Sequence, residues 1–130
     1  MIKKKIINPE KVRRIKGGFS YIPHRFITDG FLTSLTQKEF LLYLFLVLVS
    51  DRYGLSFYSY DAICSLLHLT LDQYILSRDG LMEKDLIAFD GTLFQVLDLP
   101  PKPLKISRTK KDPATIARMI RKSLKEDKND

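Results

Sequence analysis

A single cysteine, Cys64, and only two histidines, His24 and His68, stand in the 130 residues. An internal disulfide is excluded, and so is a cysteine-rich zinc site. The lack of a disulfide pair fits a reducing compartment. No glycine-rich phosphate loop, paired-carboxylate site or metal-spaced cluster is present. Cys64 falls at helical spacing with Ile63 and Leu67 and has no His-plus-acid partner in the pattern, so it reads as a buried structural thiol. These absences predict a non-enzymatic protein with no metal and no cofactor. Long apolar runs are missing too. The longest, Phe40 to Val49, is ten residues, against the roughly 20 of a membrane-spanning helix. The start, Met1-Ile2-Lys3-Lys4-Lys5, is basic but has no apolar region behind it, unlike a secretory signal. A cytoplasmic protein with no membrane role is expected.

What is present is enough to build a core: 45% hydrophobic residues, including 8 Phe and 6 Tyr. The net charge of +7 is unevenly spread. Residues 1–18 carry a net +6, residues 19–100 a net −5, and residues 101–130 a net +6. A mildly acidic middle is flanked by two cationic arms, and arms of this kind engage phosphate backbones. The residues expected to do so are Lys3, Lys4, Lys5, Arg13, Arg14 and Lys16, then Arg108, Lys110, Lys111, Arg118, Arg121 and Lys122.

Along the chain, Gly17-Gly18 marks a hinge at the start of the domain. Phe19 to Pro23 alternates and stops at proline, predicting an edge strand. His24 to Leu32 predicts a short helix broken at Gly30. Thr36 and Glu39 form a Thr-x-x-Glu capping box opening a helix to about Asp51. That helix is apolar on nearly every face and must be covered by the helix-turn-helix on one side and by residues 19–35 or a second subunit on the other. Asp51 and Arg52 form a candidate local ion pair. Leu55 to Phe57 predicts a short strand, and Ser59 or Tyr60 opens a second helix with Ile63, Leu66 and Leu67 on its buried side. Tyr53, Phe57, Tyr58 and Tyr60 are expected in the core or at a subunit contact. After a turn at His68-Leu69, Thr70 caps a third helix to Lys84. Leu86 to Phe89 and Leu93 to Leu97 follow, with Asp90-Gly91 between them predicting a type I′ hairpin. Beyond the proline-rich Leu99 to Pro103, Asp112-Pro113 opens an amphipathic helix with Ile116, Met119, Ile120 and Leu124 on one face.

The order helix, strand, helix, turn, helix, hairpin is the winged-helix order. Leu67-His68-Leu69-Thr70 at the turn, Leu81 in the helix, and Glu83-Lys84-Asp85-Leu86-Ile87 leading to the wing resemble bacterial winged helix-turn-helix proteins. The stretch from Gly18 to Leu99 is similar to small uncharacterised helix-turn-helix proteins of bacterial mobile elements. The likeness lies in Asp29-Gly-Phe-Leu, Leu41-Leu-Tyr-Leu, Asp51-Arg-x-Gly-Leu-Ser-Phe-Tyr and Asp85-Leu-Ile-Ala. It implies a mainly α fold with a small β-hairpin: a winged helix-turn-helix domain over 19–100, between a basic arm over 1–18 and a linker plus basic helix over 101–130.

The resemblance also implies that early residues of the third helix reach base edges in the major groove. The corresponding positions are Leu71, Asp72, Gln73, Ile75 and Leu76. Gln73 suits adenine, but the leucines read no donor or acceptor code and Asp72 repels phosphate. Arg78, a turn further on and in a register that turns it inward, is the second groove candidate. The wing tip, Asp90-Gly91-Thr92, has no basic residue. The function expected is therefore a DNA-binding accessory or regulatory protein of a mobile genetic element, with double-stranded DNA as partner and phosphate affinity concentrated in the tails. Two rivals share the features: an adaptor docking on a homodimer mate or larger protein machine through the acidic core and the C-terminal amphipathic helix, and an RNA-binding protein.

Overall fold

The computed structural model describes residues 2–104. Within them lie four helices, α1 (Arg25–Thr28), α2 (Gln37–Val49), α3 (Tyr60–Leu67) and α4 (Leu71–Glu83), and three strands, β1 (Leu55–Ser56), β2 (Ile87–Phe89) and β3 (Phe94–Val96). The strands form one antiparallel sheet in the order β1-β3-β2. The fold is mainly α with a small sheet towards the C-terminal side. The linker cations and the amphipathic helix expected beyond residue 104 lie outside the described residues.

Residues 2–18 are exposed throughout and irregular except for one 3-10 turn, Pro9–Lys11, capped by Asn8. The edge strand expected at 19–23 does not form. Its alternation is out of phase with burial: Ile22 packs against the core, while Phe19 and Tyr21 face solvent. The short sheet ends at β1 and β2 and takes up no further strand.

The capping box of α2 is present. Glu39 N–H donates to Thr36 Oγ1 at 3.1 Å, and Thr36 N–H donates to Glu39 Oε1 at 2.9 Å. Leu42, Tyr43, Leu46 and Val47 are buried between two layers. Phe26 of α1 stacks on Tyr43 with ring centroids 5.1 Å apart and also meets Phe31 and Phe40. On the other side α2 packs on α4 and β3. The chain itself thus supplies both covers, but not all round, because Leu48 stays 64% exposed.

The connection after α2 is built on Asp51. Its Oδ1 accepts from Tyr53 N–H at 2.8 Å and Leu55 N–H at 2.9 Å. This replaces the ion pair expected with Arg52, which instead lies 5.0 Å from the centroid of the Tyr53 ring. Gly54 closes the turn at φ +83, so near Val96 that a Cβ there would come within 2.5 Å of Val96 O. Only glycine meets both demands. β1 then pairs with β3, Ser56 opposite Phe94.

Ser59 caps α3, which buries Ile63 and ends at His68 in the left-handed conformation, φ 57. Leu66, expected on the buried side, is 58% exposed, because Ile63 and Leu67 define the inward face. The four aromatics after α2 are likewise not core residues: Tyr53, Phe57, Tyr58 and Tyr60 are all exposed, with Tyr58 edge-on to Phe45.

α4 opens with a second capping box, Thr70 to Gln73. The hairpin follows, but its loop is not the two-residue type I′ expected. That turn needs positive φ at both central residues, and Asp90 does not adopt it. Instead Asp90 Oδ1 accepts from Thr92 N–H at 2.8 Å and Leu93 N–H at 2.7 Å, closing a wider loop around Gly91. Finally, Arg25 fastens the proline-rich segment. Its guanidinium donates to Leu99 O, Pro100 O and Pro101 O at 3.3, 2.7 and 3.1 Å.

Candidate nucleic-acid interface

The first turn of α4 presents Leu71, 49% exposed, with Asp72 exposed beside it and Leu76, 54% exposed, a turn later. Gln73 is half-buried, and its Oε1 accepts the Thr70 N–H at 3.0 Å. Its side chain is therefore held in the cap, with one of the two groups of a bidentate adenine contact already occupied. Arg78 is turned inward, as its register predicts. Its guanidinium lies 5.4 Å from the Tyr74 ring centroid and 5.3 Å from that of Phe89, and Nε donates to Asp79 Oδ1 at 3.1 Å. Burial raises the Tyr74 phenol above its ordinary pKa, and the adjoining Arg78 opposes that rise. Arg78 thereby joins α4 to strand β2, and its charge is matched locally by Asp79.

The tip of the β2–β3 hairpin is negative. The N–H groups of Leu93 and Thr92 hold the Asp90 carboxyl below the usual carboxylate range, so it stays charged well into acid. A phosphate approaching this tip meets repulsion. α4 and the β2–β3 hairpin together therefore offer little that attracts a polyanion.

Three cations of the domain, Arg25, Arg78 and Lys84, are used internally, whereas Lys38, Arg52 and Lys102 are exposed. Lys84, 4% exposed, donates to Glu39 Oε1 at 2.6 Å and to Ser34 O at 2.7 Å. Arg25 pairs with Asp29 and holds three carbonyls. By contrast Lys3, Lys4, Lys5, Lys11, Arg13, Arg14 and Lys16 all lie on the exposed arm. Arg108, Lys110, Lys111, Arg118, Arg121 and Lys122 lie outside the described residues. The sequence pattern did not reveal that Lys84 and Arg25 are structural, because the partners of Lys84 are some 45 to 50 positions away.

Where the arm enters the domain there is a cavity of about 450 Å³. Phe19 and Tyr21 from the segment after the hinge, Tyr43 from α2, and Arg52 and Tyr53 from the following turn contribute to its lining, with Asp98 opposite. Tyr43 is 2% exposed, and burial, aided by the neighbouring Tyr21, keeps its phenol protonated above the ordinary range. This aromatic cluster was not legible in sequence, since its rings come from three separated stretches.

Among the described residues no group of three metal-ligating side chains occurs, and no helix is long and apolar enough to cross a membrane. Cys64 is half-buried, with Sγ 3.8 Å from Thr70 O. No protein-family model, curated protein or solved structure matches this chain.

Proposed function

We propose that the chain is a DNA-binding accessory or regulatory protein with a winged helix-turn-helix core, whose affinity for nucleic acid resides in its basic arms. The observation that carries this reading is the division of cations. Arg25, Arg78 and Lys84 are taken up by core contacts and Lys38, Arg52 and Lys102 are exposed at separate places in the chain, while seven exposed Lys and Arg residues are gathered in the N-terminal arm. Order and topology favour the winged-helix reading: α2, β1, α3, α4, then a β2–β3 hairpin, with β1 adding to β3. The core then acts as a scaffold that orients the arms, with Gln73 a minor contact and Arg78 a structural one. Membership of a mobile genetic element's machinery remains the context that the sequence resemblance implies.

Salt dependence tests the mechanism. Each phosphate neutralised on a duplex contributes about 0.9 to the slope of log K against log salt. Fluorescence anisotropy with duplex DNA should give a steep slope, and deletion of residues 1–18 should flatten it by several units. Substituting Gln73 or Arg78 with alanine should leave the slope unchanged. Duplex binding that ignores salt, or survives arm deletion intact, refutes the proposal. Matched RNA probes separate the RNA-binding alternative.

A second reading, a protein-interaction adaptor, is favoured by the exposed leucines Leu66, Leu71 and Leu76 on α3 and α4. Under it the isolated chain shifts no nucleic acid, and replacing those leucines with serine abolishes a protein contact without unfolding the domain.

A further inference from the structure

We propose that the cavity at the root of the N-terminal arm receives one unpaired nucleobase of a single strand whose phosphates lie along the arm. The inference rests on the nucleic-acid reading above and goes beyond it, because cation-mediated phosphate binding has no need of an aromatic pocket.

Three features carry it. The first is the lining. Phe19, Tyr21 and Tyr53 are 68%, 76% and 65% exposed, yet all three border the same hollow. Large rings left in water around one concavity form a surface suited to another flat apolar face, and bases stack on such rings whatever their identity. The Arg52 guanidinium over Tyr53 adds a second planar, cationic surface at the rim. At about 450 Å³ the cavity falls within the size range of small-ligand sites.

The second is the polar complement. The Tyr43 side chain is buried but lines the cavity, and none of the hydrogen bonds described engages its hydroxyl. Desolvation keeps that hydroxyl in its neutral, donating form. Asp98, also in the lining, supplies acceptors for an exocyclic amine. A donor and an acceptor in an aromatic cleft match the edge of a base that has lost its pairing partner.

The third is continuity of charge. Lys16 precedes Phe19 by three residues, across the Gly17-Gly18 hinge where Gly17 has φ +64. Three residues of extended chain span at most about 10 Å, which keeps Lys16 within reach of the phosphates that flank a nucleotide seated in the cavity. Arg13, Arg14 and Lys16 can therefore meet phosphates next to a base held in the cavity. A duplex, whose bases are stacked and paired, can use the arm but not the pocket.

The test uses the full chain and a thymidine oligonucleotide carrying one 2-aminopurine, with anisotropy reporting binding and 2-aminopurine fluorescence reporting stacking. The expected result is severalfold quenching on saturation of the single strand and none with the same base paired in a duplex. The Phe19→Ala/Tyr21→Ala double variant should lose the quenching and bind the single strand roughly tenfold more weakly or worse, with duplex affinity unchanged within about twofold. Both residues are exposed, so the variant folds, and circular dichroism verifies it. Single-strand binding without quenching, or quenching that persists in the double variant, overturns the pocket while leaving arm-mediated binding standing. Absence of binding to either probe overturns the nucleic-acid reading and the pocket with it.

Discussion

Replacing Lys84 with methionine should destabilise this domain severely. Lys84 and Glu39 are 4% and 1% exposed, and their Nζ–Oε1 distance is 2.6 Å. Methionine nearly matches the lysine stem in length, so packing is largely kept and the electrostatic consequence is isolated. What remains is a carboxylate shut away from water with its cation gone, and a Ser34 carbonyl without its donor. Breaking one side of a buried pair costs about 3–5 kcal/mol, a large share of the roughly 5–15 kcal/mol that holds a domain together. In urea, with m of about 1–3 kcal/mol/M, the midpoint should fall by about 2 M with m unchanged. The double variant Glu39→Met/Lys84→Met removes both charges and should recover most of that loss, leaving chiefly the loss of the Glu39 Oε1 acceptor for the Thr36 N–H, about 1 kcal/mol. The two single effects should therefore be non-additive by at least about 2 kcal/mol. A Lys84→Met unfolding free energy within about 0.5 kcal/mol of the parent, or additive single effects, would show that the pair is not held as described.

Gly54→Ala should cost more than about 2 kcal/mol, since alanine resists positive φ and its Cβ meets Val96 O; thermal unfolding measures it, and a near-neutral result refutes the close approach. The Asp90 carboxyl, held low by Leu93 and Thr92 N–H groups, contributes stability that is complete above its unfolded pKa and lost as pH falls through its lower folded pKa. NMR titration should find it among the last carboxyls to protonate, and Asp90→Asn should remove that acid-side dependence. Tyr43 and Tyr74, raised by burial, should ionise only above the ordinary phenol range in an ultraviolet titration; their stabilising effect is full below the unfolded pKa and is lost as pH rises through the folded one. Arg25→Ala should free the Leu99–Pro101 carbonyls, seen as faster proteolysis around residue 100 at a global cost of about 1–2 kcal/mol, discounted for partial exposure.

Local rules written in the sequence were enough for most of the elements. Thr36 with Glu39, Ser59 and Thr70 each start a helix where their side chains satisfy its first N–H groups, and the two apolar runs around Asp90-Gly91 pair as a hairpin. The same composition separated an acidic middle from basic flanks. Burial was another matter, because it depends on what arrives from far along the chain. Leu66 looks like a core residue in sequence and Tyr53, Phe57 and Tyr60 like core or subunit-contact residues, yet all four are exposed in the chain, whose core is filled by residues such as Ile63, Leu81 and Phe94. Phe19 and Tyr21 resemble a strand, yet no free sheet edge accepts them. The cations show the division most clearly. Sequence counts Lys3, Arg14, Arg25, Arg78 and Lys84 as equal charges, whereas the tertiary structure alone assigns the last three to carbonyls, rings and Glu39 and leaves the arm exposed. Charge is fixed by residue type, but availability is fixed by desolvation and by partners that only the folded chain brings within reach.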